Sequence, residues 1–427
     1  MLKTTIAPAA PSLPAEAPAK AGSSAEVLAK ADLPAPAPTL EETGAALDGI
    51  EAYLARKGLE GYDPYDALNS PVLRALSFGR KWPRIAFTQL LKALPVNLRP
   101  LLLVKKTLNP KGLGLLLAGT VRRGRTTGGE RYREAARSLA ESLLSLRSPG
   151  YRGACWGYPF PWQSRAFYVP RGTPTIVNTA FVAHALLDVS RFLGEERYAS
   201  VARSACTFVL KDLARTEEEG ALCFSYTPND RLAVHNANLL GAGLLARVGA
   251  VTGEAELLDT ARRAACWTLR RQHPSGGWWY AEPPYQHWID SFHTGFVLEA
   301  LRLVIAHAGL EEAKEPLARG HRFFLDHFHE VDGAPRYYHD RKGPLDIHCP
   351  AQTLVTLCEL WGTEPAPRQL ARASRWMLDR MRAPEGYFYF RIGRLGPNRI
   401  PYIRWGQAWA YHGLARLEEF LAGGRSQ

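Results

Sequence analysis

The sequence predicts an all-α fold, an (α/α)6 toroid of six helical hairpins with an inner and an outer ring. Three observations predict it. Glycine–aromatic turns recur at Gly153 with Trp156 and Tyr158, Gly220 with Phe224 and Tyr226, Gly277 with Trp278 and Tyr280, Gly333 with Tyr337 and Tyr338, and Gly386 with Tyr387 and Tyr389, at intervals of 67, 57, 56 and 53 residues. Each turn is followed by a helix apolar nearly all round, with first turns aligned at Asn178, Ala237, His293, Ala351 and Gly406, spaced 59, 56, 58 and 55. Each turn is preceded by an amphipathic helix. Two-helix repeats of this length cannot hide an apolar face alone and must stack on neighbours. Helices buried all round call for an inner ring, and amphipathic ones for an outer ring.

Taken in order, residues 1–38 are Ala/Pro/Ser-rich and poor in large apolar groups, and are expected to form a flexible tail. The toroid domain is assigned to 39–427, with a basic N-terminal part over 39–129 and regular hairpins over 130–427. Leu47, Ile50 and Leu54 give a helical stripe within Glu41–Arg56, which supplies an outer helix and lets the ring close. Asp63–Asn69 reads as a turn. Trp82–Val104 mixes apolar residues with Arg84, Lys92 and Arg99 and is broken by Pro95 and Pro100. Asn109–Thr120 opens with a proline suited to a helix start, and a sixth inner helix begins near Lys111. Glu195–Leu213 carries Tyr198, Val201, Ala205, Phe208 and Val209 on one face, as an outer helix requires.

With 427 residues, 46% hydrophobic and 22% charged, the chain can bury a large core. Its net charge of +12 is clustered: Arg80 to Arg125 holds eleven Lys or Arg and no Asp or Glu. This region reads either as a solvated surface over a hydrophobic seam or as a patch facing phosphate or membrane, suited to a lipid-linked sugar. Nucleic acid is not expected, because the aromatic residues cluster elsewhere. The six cysteines lack C-x-x-C spacing and sit beside apolar residues, so they read as reduced core groups. The first twenty residues have no apolar h-region and no run approaches about 18 apolar residues. A cytoplasmic location is expected, with peripheral contact at the inner face of the membrane through 80–125 as an open alternative.

In a ring of hairpins, the starts of the inner helices and the turns before them converge at one end. That places Asn178, His235, Asn236, Asn238, Asp290, His293, Asp346, His348, Arg404 and Gln407 around one cavity, rimmed by Trp156, Tyr226, Trp278, Trp279, Tyr338 and Tyr389. Aromatic faces beside imidazoles, amides and carboxylates suit sugar rings, and accessible Lys or Arg favours uronate or phosphate. Lyase or C5-epimerase chemistry needs a base and neutralisation of the acid, and His293, His348, Tyr389, Asn236 and Arg404 supply those types. Hydrolysis needs two carboxyls, for which Asp290 and Asp346 are the pair. A zinc site from Asp290, His293, His348 or Cys349 has no tight ligand motif behind it, and no metal or cofactor is expected. Capping alone explains Asp and Asn at helix starts, and the aromatics can serve as wedges between repeats. Capping does not ask for His235, His293 and His348 at nearly matching places in three repeats.

Gln272-x-x-x-Gly276-x-Trp278 resembles the QW repeat of the squalene cyclases, which implies a third option of isoprenoid cyclisation; their D-x-D-D run does not occur here. Tyr387–His412 is similar in layout to the C-terminal toroid region of glucuronyl C5-epimerases, with Tyr387 or Tyr389, Arg391, Arg404 and Trp405 at the corresponding positions. Through YDPYDALNS, NLRPLL and NPKGLG the chain resembles toroid proteins of bacterial exopolysaccharide synthesis. These resemblances imply a protein acting on an acidic polysaccharide or lipid-linked oligosaccharide. A non-catalytic component that binds glycan or polyprenyl phosphate is the alternative from another class.

Overall fold

The computed structural model describes residues 36–362, 366–393 and 396–423; all but the last three residues of the expected tail lie outside them. Fourteen α-helices are found among the described residues. They are α1 (Leu40–Lys57), α2 (Pro71–Leu76), α3 (Lys81–Ala93), α4 (Pro110–Thr127), α5 (Glu130–Ser145), α6 (Ile176–Leu193) and α7 (Glu196–Lys211). There follow α8 (His235–Thr252), α9 (Ala255–Leu269), α10 (Ser291–Ala308), α11 (Lys314–His327), α12 (His348–Glu359), α13 (Ala366–Met381) and α14 (Trp409–Leu421). Helices α4, α6, α8, α10, α12 and α14 pack side by side into the inner ring, and α14 returns to α4. Around them stand α5, α7, α9, α11 and α13, with α1 as the sixth outer helix against α14. The (α/α)6 toroid is the fold.

Ring closure is chemical as well as topological. Thr39 and Glu42 form a reciprocal capping box at the start of α1, and Leu47, Ile50 and Leu54 are buried as the periodicity predicts. Arg375 of α13 reaches Glu42 at 2.7 Å, and Arg382 donates to the Ala45 carbonyl at 3.0 Å. The N-terminal helix is thus fastened beside the last outer helix, where the missing partner belongs.

The glycine–aromatic turns staple each repeat to the next. The first N–H groups of a helix have no partner inside it. Here the amides of Ile176, His235, Ser291 and Ile347 donate across the repeat boundary to the carbonyls of Tyr226, Tyr280, Tyr337 and Phe390 at 3.0 to 3.2 Å. Gly276, Gly333 and Gly386 have positive φ (98°, 89° and 94°). A Cβ there would meet the backbone of α11 at Arg319, of α13 at Arg372 and of α1 at Gly49 within 2.6 to 2.8 Å. Only glycine allows both the turn and that approach.

Small antiparallel sheets decorate the same end: β1 (Trp162–Gln163) with β2 (Tyr168–Val169), β3 (Arg215–Glu218) with β4 (Ala221–Phe224), and a three-stranded β5 (Leu345–Asp346), β6 (Arg391–Gly393) and β7 (Gly396–Asn398) in that order. At the opposite end the connections are short and turn on Gly194, Gly253 and Gly309 in the left-handed region. Helix α6 has the length and composition of a membrane span, contrary to the expectation that no run does. It is a mostly buried inner helix, apolar because it packs between neighbouring helices of the ring.

Phe181, Phe296 and Trp409 meet on the ring axis, with centroids 5.3 to 5.5 Å apart. Phe181 lines one chamber and Phe296 the other, so these rings form a septum between them. One chamber, about 590 Å³, lies under the C-terminal halves of the inner helices. The other, about 680 Å³, lies under their first turns.

Candidate active site

The first turns of all six inner-ring segments reach the larger chamber: Lys111, Val177, Asn236, His293, His348, and Arg404 with Trp405 on the π-helical turn Ile403–Ala408 that precedes α14. The predicted residues Tyr226, Asn236, Asp290, His293, Tyr338, His348 and Arg404 all line it. Tyr158, Trp162, Tyr280 and Trp288 complete an aromatic wall, while Tyr65 and Lys92 come from the N-terminal segment.

Asp290 does two jobs at the mouth of α10. Its Oδ1 accepts the His293 amide at 2.9 Å, the cap that the sequence alternative foresaw. Its Oδ2 stands 2.7 Å from His293 Nδ1 and accepts the Trp288 indole N–H at 3.2 Å. With Nδ1–H directed at the carboxylate, Nε2 is left as the His293 atom available for proton transfer. Tyr280 packs against the His293 ring at 4.7 Å and itself stacks on Trp288 at 4.7 Å, which holds the imidazole in place.

His348 lies on the other side of Phe292. The Phe292 ring centroid is 4.5 Å from that of His293 and 4.3 Å from that of His348, so both imidazoles border one ring. Trp405 and Trp409 enclose His348 at 4.8 and 4.2 Å. Neither of its ring nitrogens has a protein hydrogen-bond partner. Burial, with Lys111 nearby, holds its pKa well below the usual imidazole range, so it is neutral.

The cations of this chamber are deep. Arg404 is buried and held by Asp63 through two bonds of 2.6 and 2.7 Å. Lys111 sits over Phe181, Phe296 and Trp409 at 4.2, 5.1 and 5.4 Å, with no carboxylate beside it among the described residues. Burial lowers its pKa strongly and lowers that of Lys92 to about 7. Lys92 donates to the Tyr65 hydroxyl, whose own pKa burial raises to about 12. An anion entering here meets the Arg404 guanidinium and a Lys92 side chain poised to take up a proton.

Other predicted residues serve the scaffold instead of facing the chamber. Asp346 is buried behind the wall; its oxygens accept from the His348 amide (3.0 Å), the Trp405 indole (2.7 Å) and Arg391 (2.6 Å). Asp290 is the only carboxylate lining the chamber among the described residues, which leaves the hydrolytic pair Asp290/Asp346 without a common gap. His235 turns outward to Glu282 at 2.9 Å, because one residue of offset rotates a helical side chain by about 100°. Asn236, the next residue, takes the inward place.

Asn238 binds the Phe224 amide and the Ala264 carbonyl, and Gln407 binds both backbone groups of Phe388, each fastening an inner helix to its turn. Asn178 is fully buried away from the chamber. Trp156 and Trp278 are wedges whose indole N–H groups satisfy the Leu143 and Thr268 carbonyls at the ends of α5 and α9. Gln272 bridges the Gly276 and Pro316 carbonyls, so the QW-like motif is a staple between a turn and the next outer helix. Trp279 stacks on His287 at 5.0 Å beside a small side recess, and Tyr389 packs edge-on to Tyr387 outside the chamber. Cys349 is fully buried, and burial raises its thiol pKa strongly. Among the described residues no three His, Cys, Asp or Glu side chains gather in a metal-binding group.

No protein-family model and no curated protein matches the sequence. Solved structures do match the fold. Cellobiose 2-epimerase from Bacillus thermoamylovorans superimposes with a TM-score of 0.61 at 12% identity, covering 90% of this chain and 98% of that one. The GH76 α-mannanase of Bacteroides thetaiotaomicron gives 0.57 at 14%, covering 73% and 86%. Unsaturated glucuronyl hydrolase from Streptococcus agalactiae gives 0.58 at 11%, covering 90% and 93%. At these identities the shared property is the toroid, a fold used by glycan-processing enzymes.

Proposed function

We propose that this chain is an acid/base enzyme of the epimerase or lyase type. Its substrate is an acidic polysaccharide or lipid-linked oligosaccharide, and its setting exopolysaccharide synthesis or modification. The reading rests on one arrangement: an Asp-oriented imidazole, His293, and a second, neutral imidazole, His348, border one chamber whose deep cations are Lys111 and Arg404. The toroid's occurrence in sugar epimerases and glucuronyl hydrolases supports a saccharide as the occupant.

The chemistry follows from the positions. One imidazole takes the proton from the sugar carbon next to a carbonyl or carboxylate, and the C–H electron pair moves onto that group as an enolate. Arg404 and Lys111 stabilise the charge that develops there. Return of a proton to the other face of the carbon, from the other imidazole in its protonated form, gives the epimer and leaves the two imidazoles with their protonation states exchanged. Expulsion of a β-placed glycosidic oxygen, protonated as it leaves, gives an unsaturated product instead. Tyr65, Tyr158, Tyr226 and Tyr280 remain neutral because burial raises their pKa values, so they offer hydroxyls to the substrate without competing charge.

The test is incubation with acidic bacterial polysaccharides in heavy water, with products read by NMR and mass spectrometry. Deuterium at the α-carbon, or a new unsaturated end, is the expected outcome. Shorter chains with new reducing ends and no deuterium would reverse the assignment to hydrolysis. Binding with no product would leave a glycan-binding component of a synthesis complex.

A further inference from the structure

Among the described residues thirteen large hydrophobic side chains are exposed, and eight of them fall between residues 72 and 103. They are Val72, Leu76, Phe78, Trp82, Leu90, Val96, Leu101 and Leu103, with Phe78 and Leu101 each 80% exposed and Trp82 68% exposed. This segment is folded: Ala67, Leu73 and Leu91, with Phe87 and Leu102, form a small core of their own. The exposure is therefore a property of its surface. Phe78 and Leu103 hold positive φ (47° and 56°), which non-glycine residues rarely adopt, and both point large apolar groups at solvent.

Helix α3 has two working faces. Trp82, Ala86, Leu90 and Ala93, at helical spacing, form an exposed apolar stripe. Ile85, Thr88, Gln89 and Lys92 line the larger chamber. Around the stripe stand exposed Arg74, Arg80, Lys81, Lys105 and Lys106, and the sequence has no Asp or Glu between Asp66 and Glu130. Apolar side chains rimmed by cations without a counter-charge match one surface in chemistry, the interface of an anionic bilayer.

We propose that residues 71–106 dock the protein on an anionic lipid surface, with α3 at once a membrane-facing helix and a wall of the chamber. Trp82, Phe78, Leu90 and Leu101 enter the headgroup region, and the lysine and arginine side chains reach lipid phosphates. The chamber then opens beside the bilayer, and its substrate is a saccharide joined to a membrane lipid through phosphate. That last step rests on the catalytic reading above; the docking does not.

The test is flotation of the full chain with vesicles of phosphatidylcholine alone and with about a third phosphatidylglycerol. Binding to the anionic vesicles, weakened by salt, is expected. Phe78→Ser with Trp82→Ser, and separately Lys105→Glu with Lys106→Glu, should each lower partitioning roughly tenfold or more while circular dichroism is unchanged. All four side chains are exposed, so these substitutions leave the core intact. Absence of binding to either vesicle overturns the proposal. So does a concentration-dependent dimer that the same substitutions dissolve, since the face then belongs to a second copy. Flotation needs no turnover, so an inactive protein that floats sinks the catalytic reading alone. An active protein that does not float sinks the docking alone.

Discussion

The two chambers of the ring are walled by the same inner helices, yet their polar groups are arranged oppositely. In the chamber under the helix C-termini the charges face one another. Arg247 pairs with Asp188, Arg122 with Glu419, and Glu359 takes Arg302 and Arg416. His184 accepts from Arg247, and burial pushes its pKa down to about 3. Arginine near a helix C-terminus also complements the helix dipole. At the other end the long turns bring aromatic rings and set His293, His348 and Lys111 along the chamber wall, His348 with no protein partner for either ring nitrogen. Charges paired with one another build a scaffold, and imidazoles set among aromatic rings at a chamber wall offer chemistry.

The largest expected effect separates the ends by turnover. His293→Ala should lower turnover roughly a hundredfold to ten-thousandfold with glycan binding kept, the span of general acid–base catalysis. Asp290→Asn keeps a capping side chain but misdirects the imidazole, and should lower turnover with little change in unfolding midpoint. Arg191→Gln, at the rim of the opposite chamber, should leave turnover unchanged. Equal losses from Arg191→Gln and His293→Ala would erase the distinction between the chambers.

The next effect separates them by stability. Glu359 is buried beneath Arg122, Arg302 and Arg416. Glu359→Gln removes the buried carboxylate that these arginines share, with Glu419 still paired to Arg122 and Arg416, and should cost about 3 kcal/mol, read by urea unfolding. His348→Ala, which removes no ion pair, should cost its packing alone.

Particular residues show how far the sequence could be read. The ring was legible because glycine and aromatic residues recur wherever a turn must approach the next outer helix, as Gly276, Gly333 and Gly386 do. The Asp290–His293 pair was legible because capping and catalysis ask for neighbouring positions at one helix mouth. His235 and Asp346 were misplaced because aligning repeats to within a residue does not fix which way a helical or strand side chain turns. Trp156 and Trp278 satisfy carbonyls at helix ends, a partnership that no local pattern announces. Tyr65 and Lys92 fall in the basic N-terminal part outside the repeat, and Lys111, although at the start of the sixth inner helix, is preceded by no glycine–aromatic turn to mark it as a wall residue. The structure splits that basic run: Lys92, Arg99, Lys111 and Arg123 turn inward, and Arg80, Lys81, Lys105 and Lys106 remain outside.

The smallest expected effect tests whether the open chamber takes an anion. Burial sets the Lys92 pKa at about 7 in the free protein, so the side chain is charged below that pH and neutral above it. An acidic saccharide favours the charged form. Affinity for it should be greatest below pH 7 and weaken as pH rises through that value, with a proton taken up on binding. Over one or two pH units the loss should be about tenfold for a single charge. Calorimetry in two buffers of different ionisation heat measures both the affinity and the proton. Lys92→Met should flatten the pH dependence and abolish the uptake while sparing a neutral glycan. If the acidic and neutral saccharides bind alike across this range, the deep cations of the chamber have a structural role, and its contrast with the ion-paired end lies in the imidazoles alone.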